Sequence, residues 1–139
     1  MKMSLEKLIE GYELPPITKK VTFDKMRTYE GWPNVKNIHS DNEVAREFGL
    51  PQAVCRGNMF LAYVSEIICN VFEEYWLKGS KLSANLLVPV FPGDIVTAKG
   101  KITQKTRGGS DISFNIEVWM ENQRDEKVVV GSASLKVPQ

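Results

Sequence analysis

The sequence predicts an α+β domain in which an antiparallel sheet buries its apolar face on one long central helix. Three observations carry that prediction. Between Met59 and Leu77, apolar residues recur every three or four positions, at Phe60, Tyr63 or Val64, Ile67 or Ile68, Phe72, and Tyr75 or Trp76. From Lys81 onward the period falls to two, most strictly over Ile112, Phe114, Ile116, Val118 and Met120. Turn residues punctuate that second half at Phe91-Pro92-Gly93-Asp94, Arg107-Gly108-Gly109-Ser110 and Gln123-Arg124-Asp125-Glu126, so consecutive strands return beside one another. With 139 residues the chain has room for one hydrophobic core and reads as a single domain, 1–139.

The elements follow in order. Tyr12-Glu13-Leu14-Pro15-Pro16 is an extended lead-in, because each proline removes a donor and restricts its predecessor. Ile17 to Phe23, with four β-branched residues, is a first strand. Thr22 or Asp24 caps a short helix, Lys25 to Glu30, which Gly31-Trp32-Pro33-Asn34 breaks. Ser40-Asp41-Asn42-Glu43 has the spacing of a capping box, and the helix it opens carries Val44, Ala45 and Phe48 on one face before Gly49 and Pro51 end it. Met59 to Leu77 is the central helix, apolar nearly all round at its start as enclosure by a sheet requires. The strands are Leu82 to Phe91, in which Pro89 marks an edge, a bulge or the end, then Ile95 to Thr106, Ile112 to Met120 and Lys127 to Val137.

Composition narrows the function classes. Hydrophobic residues make up 42% and charged residues 25%, a globular balance. Lys and Arg number 18 against 17 Asp and Glu, so no overall field draws the chain to nucleic acid or to an anionic membrane. Lys99, Lys101, Lys105 and Arg107 are expected on one strand face by their odd-numbered spacing. No run approaches the roughly 20 apolar residues of a membrane span, and the charged start, with Lys2, Glu6, Lys7 and Glu10, is unlike a signal peptide, so a cytoplasmic location is expected. Cys55 and Cys69 are expected as free thiols, and a lone histidine makes a zinc site improbable.

That histidine, His39, owns any imidazole chemistry at neutral pH. Its alternative is structural, a bond to a backbone group beside a helix start. The surrounding residues bear on the choice. Asn34-Val35-Lys36-Asn37-Ile38-His39-Ser40-Asp41, then Ala45, Gly49, Arg56-Gly57 and Val88-Pro89-Val90-Phe91-Pro92-Gly93-Asp94, resemble the MaoC-like dehydratases and (R)-specific enoyl-CoA hydratases over nearly the whole chain.

The resemblance implies a hotdog fold, a coenzyme A thioester as substrate with no separate cofactor, and a homodimer joined edge to edge. It also implies a reaction, the reversible hydration of an enoyl thioester. His39 would serve as acid and base, and the amide of Gly57 or its neighbour Asn58, at the start of the central helix, would receive the thioester oxygen. In the family an aspartate stands five residues before the histidine. Here that position is Asn34, which could orient a water, without accepting its proton, or bind the thioester carbonyl. Asp41, two residues beyond His39, could replace the aspartate or else serve as a substrate contact or a helix cap, and Asp24 and Glu30 could fold back to replace it. Arg56, where the family has histidine, could meet a pantetheine phosphate or an oxyanion, or else form a surface salt bridge with Glu43 or Glu47. The four basic residues from Lys99 to Arg107 are either a solvated face or a rim for the coenzyme's phosphates. Cys55 is either a thiolate stabilised by the helix start and Arg56 or a small packing residue. Trp76 and Trp119 are read as exposed, anchoring an interface or packing in the core. A non-catalytic acyl-CoA-binding or partner subunit and a thioesterase are the competing readings.

Overall fold

The computed structural model describes residues 3–139. Its elements run β1 (Glu13–Lys20), α1 (Phe23–Glu30), α2 (Asn42–Glu47), α3 (Gly57–Phe72), a 3-10 turn (Glu73–Leu77), β2 (Lys81–Leu86), β3 (Ile95–Gly108), β4 (Asp111–Glu121) and β5 (Lys127–Pro138). The five strands form one antiparallel sheet in the order β1-β3-β4-β5-β2. This is the hotdog arrangement, a sheet wrapped on a long helix.

The alternation in β4 does what its period demands: Ile112, Phe114, Ile116, Val118 and Met120 are all buried, on the face that meets α3. From the helix, Phe60, Val64, Ile67, Ile68, Val71 and Phe72 are buried against the sheet. The Phe72 and Phe114 rings meet with centroids 5.0 Å apart, tilted as aromatic quadrupoles prefer. Ala62 and Asn70 are exposed, so α3 is covered along a stripe and not all round. Its last predicted turn is tighter, because Glu73 adopts a left-handed φ of 53° that ends the α-helix and leaves Tyr75 and Trp76 on a 3-10 turn.

Several expectations are corrected. The first strand starts at Glu13, since it is an edge strand and Pro15 and Pro16 sit in a register shift between Leu14 and Ile17, where missing donors break no ladder. The second helix is capped by Asp41 and not by Ser40: Asp41 Oδ1 accepts from the amides of Glu43 and Val44 at 2.8 and 3.3 Å. Ser40 is buried and serves the preceding loop. Phe48 is 75% exposed, because only Ala45 of that helix reaches the core. Strand β2 stops at Leu86, and Pro89 belongs to a loop that returns to the start of α3, where the Cys55 amide donates to the Val90 carbonyl at 2.8 Å. Trp76 is 6% exposed and is core; Trp119 is half-buried on the outer face, its indole donating to Glu121.

The basic row also divides. The β3–β4 register shifts between Ile102 and Gln104, so side chains beyond the bulge change sides. Lys99 and Lys101 lie opposite Trp119 and Glu117 on the outer face, whereas Lys105 lies opposite buried Phe114, with its ammonium 5.7 Å from that ring. Arg107 follows it, opposite buried Ile112, so the four residues form no common rim. The turn at Phe91 to Asp94 is as expected: Gly93 has φ 96°, which only glycine adopts freely, and Asp94 accepts from the Phe91 amide.

Candidate active site

The loop between α1 and α2 carries His39, and its shape is written in side-chain hydrogen bonds. Thr22 caps α1 by accepting from the Lys25 amide, and Gly31 ends that helix. Arg27, in the last turn, is stacked between Phe23 and Trp32, 4.0 and 3.8 Å from their ring centres, and donates to the Ser40 carbonyl at 3.0 Å. Ser40 Oγ accepts from the Asn37 amide and donates to the Val35 carbonyl, at 3.0 and 3.1 Å. Asn37 Oδ1 accepts from the His39 amide at 2.8 Å. The loop thus folds round its own polar side chains and presents His39 in one orientation.

The imidazole is held by its other neighbour. Val54 donates its amide to the Ile38 carbonyl at 3.0 Å, and its own carbonyl lies 2.8 Å from His39 Nδ1. A carbonyl only accepts, so Nδ1 carries the proton and the neutral ring has its lone pair on Nε2. His39 lines a cleft of about 280 Å³ together with Arg56, Gly57, Asn58, Leu61, Ala84 and Leu86. The sole imidazole and the first residues of α3 therefore share one site.

The start of α3 is open in two senses. The first amides of a helix have no intrahelical acceptor, and the side chain of its cap residue, Arg56, does not supply one. Glycine at position 57 also leaves room for Leu86 at the end of β2: a Cβ there would stand 2.3 Å from Leu86 Cδ1, the tip of a flexible side chain that would have to shift. With the helix dipole behind them, these amides are suited to a developing negative charge.

Glu30 folds back into this site, and what it does there differs from a base. Its side chain is 4% exposed and forms a two-point pair with Arg56, Oε2 to Nε at 2.7 Å and Oε1 to Nη2 at 2.8 Å. Asn37 Nδ2 donates to the same Oε1 at 2.8 Å. The Arg56 hydrogen bond, foremost, and that from Asn37 hold the carboxyl below the usual glutamate range in spite of its burial. A carboxylate so engaged is a poor proton acceptor. The surface pairing of Arg56 with Glu43 or Glu47 is corrected accordingly: the partner is Glu30.

Other candidates lie elsewhere. Asn34 is exposed and outside the lining of the cleft, and Asp41 is committed to the α2 amides. Asp24 lies in the exposed first turn of α1 and is likewise absent from the lining. Cys55 is buried with its sulfur 3.5 Å from that of Met59, and burial pushes its thiol up to about 12, which removes the thiolate reading. A larger hollow of about 1030 Å³ opens on the outer face of the sheet, lined by hydroxyls such as Ser83, Thr103, Ser132 and Ser134. It contains no imidazole, whereas the smaller cleft is lined by His39. Among the described residues no cluster suited to a metal ion occurs, and no helix is long and apolar enough to cross a membrane. Sequence reasoning missed Asn37, which ties Glu30 to the His39 backbone, and Leu61, Ala84 and Leu86; nothing local distinguishes these from ordinary loop and core residues.

No family model matches the sequence, and no curated protein matches it in sequence. Solved structures do share its fold. The (R)-hydratase from A. caviae involved in PHA biosynthesis is 20% identical, with a TM-score of 0.78 over 96% of this chain and 99% of that one. A MaoC-like dehydratase from Rhodospirillum rubrum is 19% identical, with a TM-score of 0.78 over 99% and 97%. A C-terminally truncated HadBC complex, a 3R-hydroxyacyl-ACP dehydratase from Mycobacterium tuberculosis, is 15% identical, with a TM-score of 0.72 over 93% and 97%. The chain has the hotdog fold of the MaoC-like dehydratases and (R)-hydratases.

Proposed function

We propose that the protein is a hydratase or dehydratase that interconverts an enoyl-CoA and its 3-hydroxyacyl counterpart, with His39 as both base and acid. One observation carries this reading: His39, with Nδ1 committed to the Val54 carbonyl, lines the same cleft as the open amides of α3. Nε2 takes a proton from water as its oxygen bonds to the β-carbon. The π electrons move to the thioester oxygen, which the Gly57 amide, or that of Asn58, receives. The enolate then collapses and its α-carbon takes the proton back from Nε2, so one imidazole completes the addition on one face of the double bond.

Asn34 has no part in this sequence because it stands outside the cleft. Glu30 has none as a base, because it is absent from the lining of the cleft and Arg56 and Asn37 hold its carboxyl below the usual glutamate range.

The test is the loss of enoyl-thioester absorbance when the purified protein meets a panel of trans-2-enoyl-CoA substrates. His39→Ala is expected to lower the rate by about 100- to 10,000-fold with the fold retained by circular dichroism. An unchanged rate in that variant sinks the assignment. A second reading, a non-catalytic acyl-CoA-binding or partner subunit, is favoured by the lack of any free carboxylate in the lining of the cleft; binding without turnover would select it. Release of free thiol would select a thioesterase.

The assembly proposed is a homodimer through the free edge of β2, where Leu86 and Leu87 are each 55% exposed. Light scattering should give twice the mass of one chain, and a monomer would remove this element.

A further inference from the structure

We infer that Arg56 reads the acyl chain, selecting a short enoyl thioester that carries a carboxylate near its double bond. The inference rests on the thioester reading above. Arg56 immediately precedes the amides assigned to the thioester oxygen and lines the same cleft as His39. With the thioester so placed Arg56 stands at the acyl end, whereas the phosphates of coenzyme A lie a whole pantetheine arm from the thioester sulfur. The cleft is small, about 280 Å³, which suits a short acyl group.

The donors decide the chemistry. A guanidinium has five N–H groups. Glu30 takes one from Nε and one from Nη2, and no other side chain or carbonyl among the described residues accepts from Arg56. Three N–H groups remain, the pair on Nη1 and one on Nη2, on a side chain that is 39% exposed. Glu30 is itself buried and fixed by Asn37, so the fork is set before any ligand arrives and loses little freedom on binding.

A plain alkyl chain in this cleft would take water from those N–H groups and return no acceptor, which is unfavourable. A carboxylate returns two oxygens at the spacing of the fork. Because Glu30 cancels the net charge of Arg56, selection comes from directed hydrogen bonds more than from a long-range field. Apolar Leu61, Ala84 and Leu86 supply the rest of the wall.

The experiment is calorimetric titration of the whole protein with succinyl-CoA and butyryl-CoA. Both lack the double bond and carry the same coenzyme, so a difference in affinity belongs to the acyl end. Succinyl-CoA is expected to bind about tenfold or more tightly. The double change Glu30→Gln with Arg56→Gln, which leaves no lone buried charge, should make the two affinities equal. Arg56→Lys, which keeps the positive charge beside Glu30 but loses the fork, should lose most of the preference. Equal affinities in the unaltered protein, undetectable binding of succinyl-CoA, or a preference that survives the double change would each overturn the inference. The hydration assay is scored separately: a binding preference without turnover defeats the catalytic reading and leaves the Arg56 assignment standing, and turnover without preference does the reverse.

Discussion

The central sheet and the His39 loop are built on opposite principles. Strands β3, β4 and β5 are joined by long continuous ladders, with buried apolar residues alternating along each strand over α3. The loop from Gly31 to Asp41 has no ladder. It is held by Ser40, Asn37, Arg27 and Glu30, each bonded to a particular partner. The sheet is therefore specified redundantly, by a class of residue at each position, while the loop is specified one residue at a time. A sheet change costs stability in proportion to what is removed, and a loop change displaces the imidazole.

Two changes would break or sharpen that contrast. The larger effect is expected in the sheet, where Phe114→Ala removes a fully buried ring packed on Phe72 and should cost about 3–5 kcal/mol in urea unfolding. A loss under about 1 kcal/mol would show that the core closes over the gap and that the sheet tolerates more than its packing implies.

The smaller effect, Glu30→Gln, is expected to cost about 1–3 kcal/mol at neutral pH, since a charged pair to Arg56 is weakened. It should also carry a pH signature. The Glu30 carboxyl titrates lower in the folded chain than in the unfolded one, held there chiefly by Arg56. The unfolded state binds the proton first as pH falls, so the carboxylate's contribution is whole above the ordinary glutamate value of about 4.3 and fades as pH drops through the folded value. The stability gap between the unaltered protein and Glu30→Gln should therefore narrow in acid, measured by unfolding midpoints from pH 7 down to pH 3. A gap that stays constant would mean that Glu30 acts through shape alone.

The contrast also explains what could be read in advance. The strands of the second half, the central helix and the turn at Gly93 follow from period and turn chemistry, which are local properties. His39 and Gly57 are candidates through the resemblance to the MaoC-like family, since spacing alone leaves a structural role open for the histidine. Glu30 was one of two carboxylates that could fold back, with no spacing to choose it, because its partner lies 26 positions away. The bulge beyond Ile102 escaped for a related reason: a single extra residue reverses every later side chain, and only pairing with β4 reveals it.

By itself the sequence determined the order of elements, the apolar faces of α3 and β4 and the presence of one imidazole, since these depend on neighbours a few residues apart. Tertiary structure alone decided that Asn34 stays outside the cleft, that Asp41 and not Ser40 caps α2, that the Cys55 thiol is buried and neutral, and that Glu30 holds Arg56 beside His39. Those outcomes depend on which distant groups compete for each donor and acceptor, and that competition is settled only when the chain has closed on itself.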